Sequence, residues 1–280
     1  MLSIARPPRN PGGRVFRAIL LFYEFEAGFS RLHAGCAFEP RLRAFSGRIV
    51  VAEHEQRRVV VAIDGPAGAG KSTIAKRLAD RLAFTYIDTG AMYRALALWA
   101  SRQNIDPGDM LRMEQLAIAA QIELAPGRIR LNGEDVTGAL RTPGVSAGAS
   151  RAAVIPGVRR AMVAKQRAIG ERASVVMEGR DIGTVVFPDA DVKIFLDAQP
   201  QERVRRRLLE ARERGEQISE SALDAQMRER DERDSRRAEA PLTQAPDAIY
   251  VDSTGLTIEE VEESVLKIVR SRLTNGKEFR

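Results

Sequence analysis

Val59-Val60-Val61-Ala62-Ile63-Asp64-Gly65-Pro66-Ala67-Gly68-Ala69-Gly70-Lys71-Ser72-Thr73 is the stretch from which the rest of this chain is best approached. Val59 to Ile63 is an unbroken apolar run of mostly β-branched residues, the pattern of a strand covered on both faces in a parallel sheet. Gly65 to Gly70 ends the run in a loop. Beyond it Ile74, Leu78 and Leu82, with Ala75 and Ala79 beside them, recur at helical spacing. Strand, glycine loop and amphipathic helix therefore follow one another in order.

Residues 65–73 also match G-x-x-x-x-G-K-[ST]. The glycines let the backbone wrap so that successive N–H groups point inward at phosphate oxygens, and the following helix start adds the positive end of its dipole. Lys71 is expected to reach the β and γ phosphates, and the Ser72 hydroxyl to take a place on Mg²⁺. A bare glycine turn with an exposed lysine has the same short pattern, but the strand before and the helix after favour a Mg-nucleotide site. Kinase, GTPase and motor ATPase share such a loop. A GTPase is expected to carry an Asn-Lys-x-Asp segment, and none occurs.

The same alternation recurs downstream. Val175-Val176-Met177, Val192 to Leu196 and Ile249-Tyr250-Val251 read as strands, each followed by a helical pattern. Thr257 with Glu260 forms a capping box, Pro200 suits a helix start and Gly215 a helix end. Residues 104–148, punctuated by Pro107, Pro126 and Pro143, break the pattern and read as a small β insert around Ile122 to Leu124 and Arg128 to Leu131. Residues 201–237 are nearly all helix formers with charges of both signs, expected as helices standing off the core.

At 280 residues, 44% hydrophobic and 29% charged, the chain is long enough to bury a real core, which excludes disorder throughout. No run approaches the roughly 18 apolar residues of a membrane span, and Ala18 to Tyr23, closed by Glu24, is too short for a secretion signal. Residues 1–56 hold eight arginines and no lysine and follow no clear period, so we read them as a poorly ordered, dispensable extension. Both histidines, His33 and His54, and the only cysteine, Cys36, precede residue 55. An imidazole base, a thiolate nucleophile and a His/Cys zinc cage are thus excluded for residues 55–280. The net charge of +6 fits an anionic partner, and equally a solvated basic surface.

Three further groups carry chemistry. Asp88-Thr89-Gly90-Ala91-Met92-Tyr93-Arg94 follows a strand end, with Thr89 placed to cap a helix and Tyr93 and Arg94 one turn on. Glu178-Gly179-Arg180-Asp181 lies at the end of the Val175 strand, where carboxyl ends of strands line a crevice, so Glu178 is placed to hold a Mg²⁺ hydration shell. Arg230, Arg233, Asp234 and Arg237 share one helical face. Glu229 can pair with Arg233 and Glu202 with Arg206, while which of Arg203, Arg205, Arg206 and Arg207 point inward is open at this level.

GPAGAGKST (65–73), DTGAMYR (88–94), EGRDIGTVVFPDADVKIFLDA (178–198) and RERDERDSRRAEAPL (228–242), in this order and separation, resemble bacterial-type cytidylate kinase, a nucleoside monophosphate kinase, over residues 59–270. The resemblance implies an α/β, three-layer P-loop fold with a central parallel sheet, a small β insert in the acceptor-binding region (about 88–170) and an Arg-rich helical lid (about 200–238). It implies ATP as phosphoryl donor with Mg²⁺, held by Gly65, Pro66, Ala67, Gly68, Ala69, Gly70, Lys71, Ser72 and Thr73, with Ser72 and, through water, Glu178 on the metal. CMP or dCMP is implied as acceptor, lined by Thr89, Tyr93, Arg94, Ser150, Arg159, Arg180, Asp181, Arg230, Asp234 and Arg237, with Lys71, Arg180, Arg230 and Arg237 in the transfer itself. A cytoplasmic monomer with no membrane or nucleic-acid partner is implied too. Many relatives have Gly where Ser72 stands and some have Asp where Glu178 stands; the first change restores the ordinary loop pattern and the second keeps the carboxylate. Competing readings are an adenylate or uridylate kinase on the same core, and a nucleic-acid-binding module that uses ATP only as a ligand.

Overall fold

The computed structural model describes residues 57–275; residues 1–56, read above as an extension, lie outside the described residues. Strand β1 (Val60–Asp64) is followed by the glycine loop and helix α1 (Lys71–Leu82), which buries Ile74, Ala75, Leu78 and Ala79 as the spacing predicts. Strand β2 (Thr85–Asp88) and helix α2 (Thr89–Arg102) repeat the unit. Strand β6 (Val175–Gly179), strand β7 (Val192–Asp197) and strand β8 (Ile249–Asp252) complete a parallel sheet in the order β2-β6-β1-β7-β8. Register pairs Ile63 with Glu178 and Asp64 with Gly179, which sets the start of the glycine loop beside the Glu178 segment.

Because each central strand is apolar on both faces, the sheet needs a layer on each side. On one face Val61, Ile63, Val176 and Ile194 pack with α1 and with helix α8 (Ile258–Asn275). On the other, Ala62, Val175 and Met177 pack against Ile182 and Val186 of a π-helical turn (Ile182–Val186). The capping box of α8 forms as expected: Thr257 N donates to Glu260 Oε2 at 2.8 Å and Glu260 N to Thr257 Oγ1 at 3.2 Å.

The insert is narrower than the sequence indicates. Only β3 (Ile122–Ala125), β4 (Arg128–Leu131) and β5 (Glu134–Asp135) form an antiparallel sheet. Helices α3 (Met110–Ala119) and α4 (Pro143–Ala152) flank it, and α5 (Pro156–Gly170) leads back to β6. Proline misleads here because Pro143 is no breaker: it opens α4, with Thr142 Oγ1 accepting from Val145 N. Helices α6 (Pro200–Glu213) and α7 (Glu220–Ser235) pack on each other through Val204, Leu208, Leu223 and Met227, and Gly215 takes φ 73° in the turn between them.

Candidate active site

The glycine loop is pinned from behind. Lys71 Nζ donates to Pro66 O at 2.6 Å, Arg203 Nη1 to Ala67 O at 3.1 Å and Arg206 Nη1 to Ala69 O at 3.4 Å. In a planar trans peptide the next N–H points opposite the carbonyl, so the N–H groups of Ala67, Gly68 and Gly70 face away from these cations. Gly65 has no alternative: a Cβ there would meet Leu196 O at 1.9 Å, and its φ is 147°. The question left open in the Arg203–Arg207 run is answered by the packing. Arg203 is buried and Arg206 also binds Ser253 Oγ at 2.9 Å, whereas Arg205 faces solvent. Arg206 and Arg205 pair with Glu202, and Arg233 with Glu229.

Lys71 is buried, and that burial lowers its pKa to about 7, with Arg180 pushing the same way and Glu178 opposing. Next to it, Ser72 Oγ donates to Glu178 Oε2 at 2.9 Å and the Tyr86 hydroxyl donates to Glu178 Oε1. Burial, then the charge of Asp88, raise the Glu178 pKa, with Lys71 opposing. Burial and Glu178 push the Tyr86 hydroxyl well up, so it is a donor. A hydroxyl and a carboxylate side by side at a strand end are an oxygen-only donor set, which fits a hard cation such as Mg²⁺.

All ten residues expected on the acceptor side line a single cleft: Thr89, Tyr93 and Arg94 from α2, Ser150 from α4, Arg159 from α5, Arg180 and Asp181 after β6, Arg230 and Asp234 from α7, and Arg237 just beyond. Five arginines and two aspartates give the lining an excess of positive charge suited to a polyanion. Asp234 is the hub. Arg180 Nε binds its Oδ2 at 3.0 Å, Arg237 pairs with Oδ1, and Arg230 approaches to 3.9 Å. Although burial works to raise it, these arginines, Arg180 first, hold the Asp234 carboxyl below its ordinary value. Burial and Arg180 lower Arg230 to about 10, and burial raises Tyr93 to about 12. The Nε atoms of Arg94, Arg230 and Arg237 are buried and donate to nothing among the described residues.

Several contacts differ from expectation or were not anticipated. The helix cap is Asp88, whose Oδ1 accepts from Ala91 N at 2.8 Å; Thr89 is already helical, and its Oγ1 donates to Glu178 O at 2.7 Å. Aspartate competes well for a cap, and the neighbouring strand carbonyl claims the threonine. Asp88 also pairs with Arg94 at 2.7 Å. Asp181 is not free but forms a buried ion pair with Arg159, and Arg233 Nη1 donates to Ser150 Oγ at 2.8 Å. Asp64 was missed altogether: its carboxylate accepts from Ile182 N at 2.8 Å and Gly183 N at 2.7 Å, joining the glycine-loop strand to the segment after Asp181. Its only sequence signal is a carboxylate ending an otherwise apolar strand.

Residues 61–271 match the family model described as Cytidylate kinase. Over 231 residues the chain is 74% identical to a cytidylate kinase of Solibacter usitatus (strain Ellin6076), covering 82% of this chain and 100% of that one. It is 49% identical over 221 residues to a cytidylate kinase of Geobacter sulfurreducens (strain ATCC 51573 / DSM 12127 / PCA), with coverage of 78% and 95%. A bifunctional pantoate ligase/cytidylate kinase of Synechococcus elongatus (strain ATCC 33912 / PCC 7942 / FACHB-805) is 47% identical over 225 residues, covering 77% of this chain and 43% of that longer protein.

Proposed function

The chain belongs to the cytidylate kinase family, and from that premise we propose that it carries the γ-phosphoryl group of ATP to CMP or dCMP, giving CDP or dCDP and ADP, by holding the two nucleotides end to end. The observation that carries this reading is the adjacency of the glycine loop and the arginine cleft, joined at the Ser72–Glu178 contact of 2.9 Å. In this reading residues 65–73 take the ATP phosphates, residues of about 88–170 form the acceptor-binding region and residues of about 200–238 the lid.

A monophosphate dianion is already a nucleophile near neutral pH, so the transfer needs positioning and charge neutralisation more than a general base. A histidine-free region of 55–280 suits that demand. Lys71 takes up positive charge as phosphate arrives, and Arg180, Arg230 and Arg237 face the charge that spreads over the equatorial oxygens. Ser72 and, through water, Glu178 would hold Mg²⁺, which would supply positive charge to offset part of that developing on the phosphates. Asp181, steadied by Arg159, accepts from the cytosine amino group; uracil would turn a carbonyl toward it and leave both acceptors unpaired. Closure of α6 and α7 over ATP excludes water and suppresses hydrolysis. In this reading the enzyme is a monomer in the cytoplasm.

A coupled assay offering CMP, dCMP, UMP and AMP at equal concentration tests the reading. CMP and dCMP are expected to dominate; preference for AMP or UMP, or no ADP formed with CMP, overturns it.

A further inference from the structure

Tyr86 belongs to none of the nucleotide motifs, yet it makes the second hydrogen bond to the carboxylate that faces the proposed metal. Strands β2 and β6 pair Tyr86 with Val176, so Glu178, two residues on, shares a sheet face with Tyr86. The tyrosine hydroxyl donates to Oε1 while Ser72 donates to Oε2. A carboxylate on a glutamate stem turns freely about its last bond, and one donor on each oxygen removes that freedom. Glu178 is buried, so an oxygen left without a partner there is costly. The rest of the Tyr86 ring packs against the sheet core beside α1, a role phenylalanine serves as well.

We infer that Tyr86 is a positioning residue for the donor-side metal: its hydroxyl fixes the Glu178 carboxylate so that Ser72 presents its free lone pairs to Mg²⁺, and Glu178 its own to the ion's water shell, in one arrangement. This inference rests on the proposed metal role of those two residues. Outer partners that orient a metal-binding group are worth about 10-fold or more in metal affinity.

Calorimetric binding of ADP to the full chain, with Mg²⁺ and with EDTA, tests it without any turnover. Four proteins are compared: wild type, Tyr86→Phe, Glu178→Gln and the double variant. Tyr86→Phe is expected to cut the Mg²⁺-dependent gain in ADP affinity by about tenfold, leaving metal-free ADP binding and CMP binding within about twofold of wild type, and to add nothing further in the Glu178→Gln background. Equal weakening with and without metal, or an undiminished gain, overturns the inference while Glu178→Gln still loses its gain. If Glu178→Gln keeps the full gain, the metal reading itself falls, and this inference with it.

Discussion

The glycine loop and the arginine cleft prepare for a polyanion in opposite ways. The loop offers backbone N–H groups, and its carbonyls of Pro66, Ala67 and Ala69 are held by Lys71 and by Arg203 and Arg206 of α6. The cleft offers side-chain guanidinium groups held apart by two carboxylates, Asp181 on Arg159 and Asp234 on Arg180 and Arg237. A backbone cradle draws its donors from one short stretch, glycines and a following helix. An array of like charges must instead be assembled from distant elements, and it stays folded only because carboxylates interleave it. Each part therefore fails differently.

The largest expected effect lies on the loop. Lys71→Ala removes the one cation of the loop beside both Arg180 and Glu178, and kcat is expected to fall about 10³-fold with CMP affinity little changed. Steady-state kinetics with direct CMP binding checks this, and a weakened CMP affinity equal to the loss in kcat would erase the distinction between the two regions. On the cleft side, Asp181→Ala is expected to lower kcat/KM for CMP about 10²-fold and to narrow the preference for CMP over UMP, while Mg-ATP still binds. Unchanged CMP kinetics in that variant would remove the base-reading role.

The smallest effect sits at the seam. Burial raises the Asp64 pKa from 3.8 to about 6, against the hydrogen bonds from Gly183 and Ile182. Its folded-state pKa lies above the unfolded one, so the folded protein binds more protons between those values and stability falls as pH rises through that window. Between pH 4.5 and 6 the loss is about 1.5 kcal/mol for this group, and Asp64→Asn is expected to remove it from the slope. Urea unfolding of both proteins across the window measures the difference; parallel slopes would show that Asp64 titrates normally.

The ease of reading differed between the regions for the same physical reason. The strand Val60–Asp64, the loop and α1 follow from one contiguous stretch, Val59 to Leu82, because apolar runs and glycine spacing act locally. Of the cleft residues Ser150 and Arg159 were named only by resemblance, and the pairing was not legible: nothing near Asp181 in the chain announces Arg159, and nothing near Arg203 announces Ala67. Tyr86 and Asp64 escaped because each looks like part of a strand, and their partners lie on other segments. Pro143, read as punctuation, turned out to start a helix, since proline in a first turn costs no hydrogen bond.

From the chain alone came the parallel α/β order, the phosphate-type loop and the exclusion of histidine and cysteine chemistry beyond residue 55, all of which depend on short-range pattern and composition. Only the tertiary structure decided which arginines turn inward, that Asp88 and not Thr89 caps α2, and that Asp234 gathers three arginines. Ion pairs and buried hydrogen bonds between segments depend on where burial removes water, and that is a property of the packed chain and not of its neighbours in sequence.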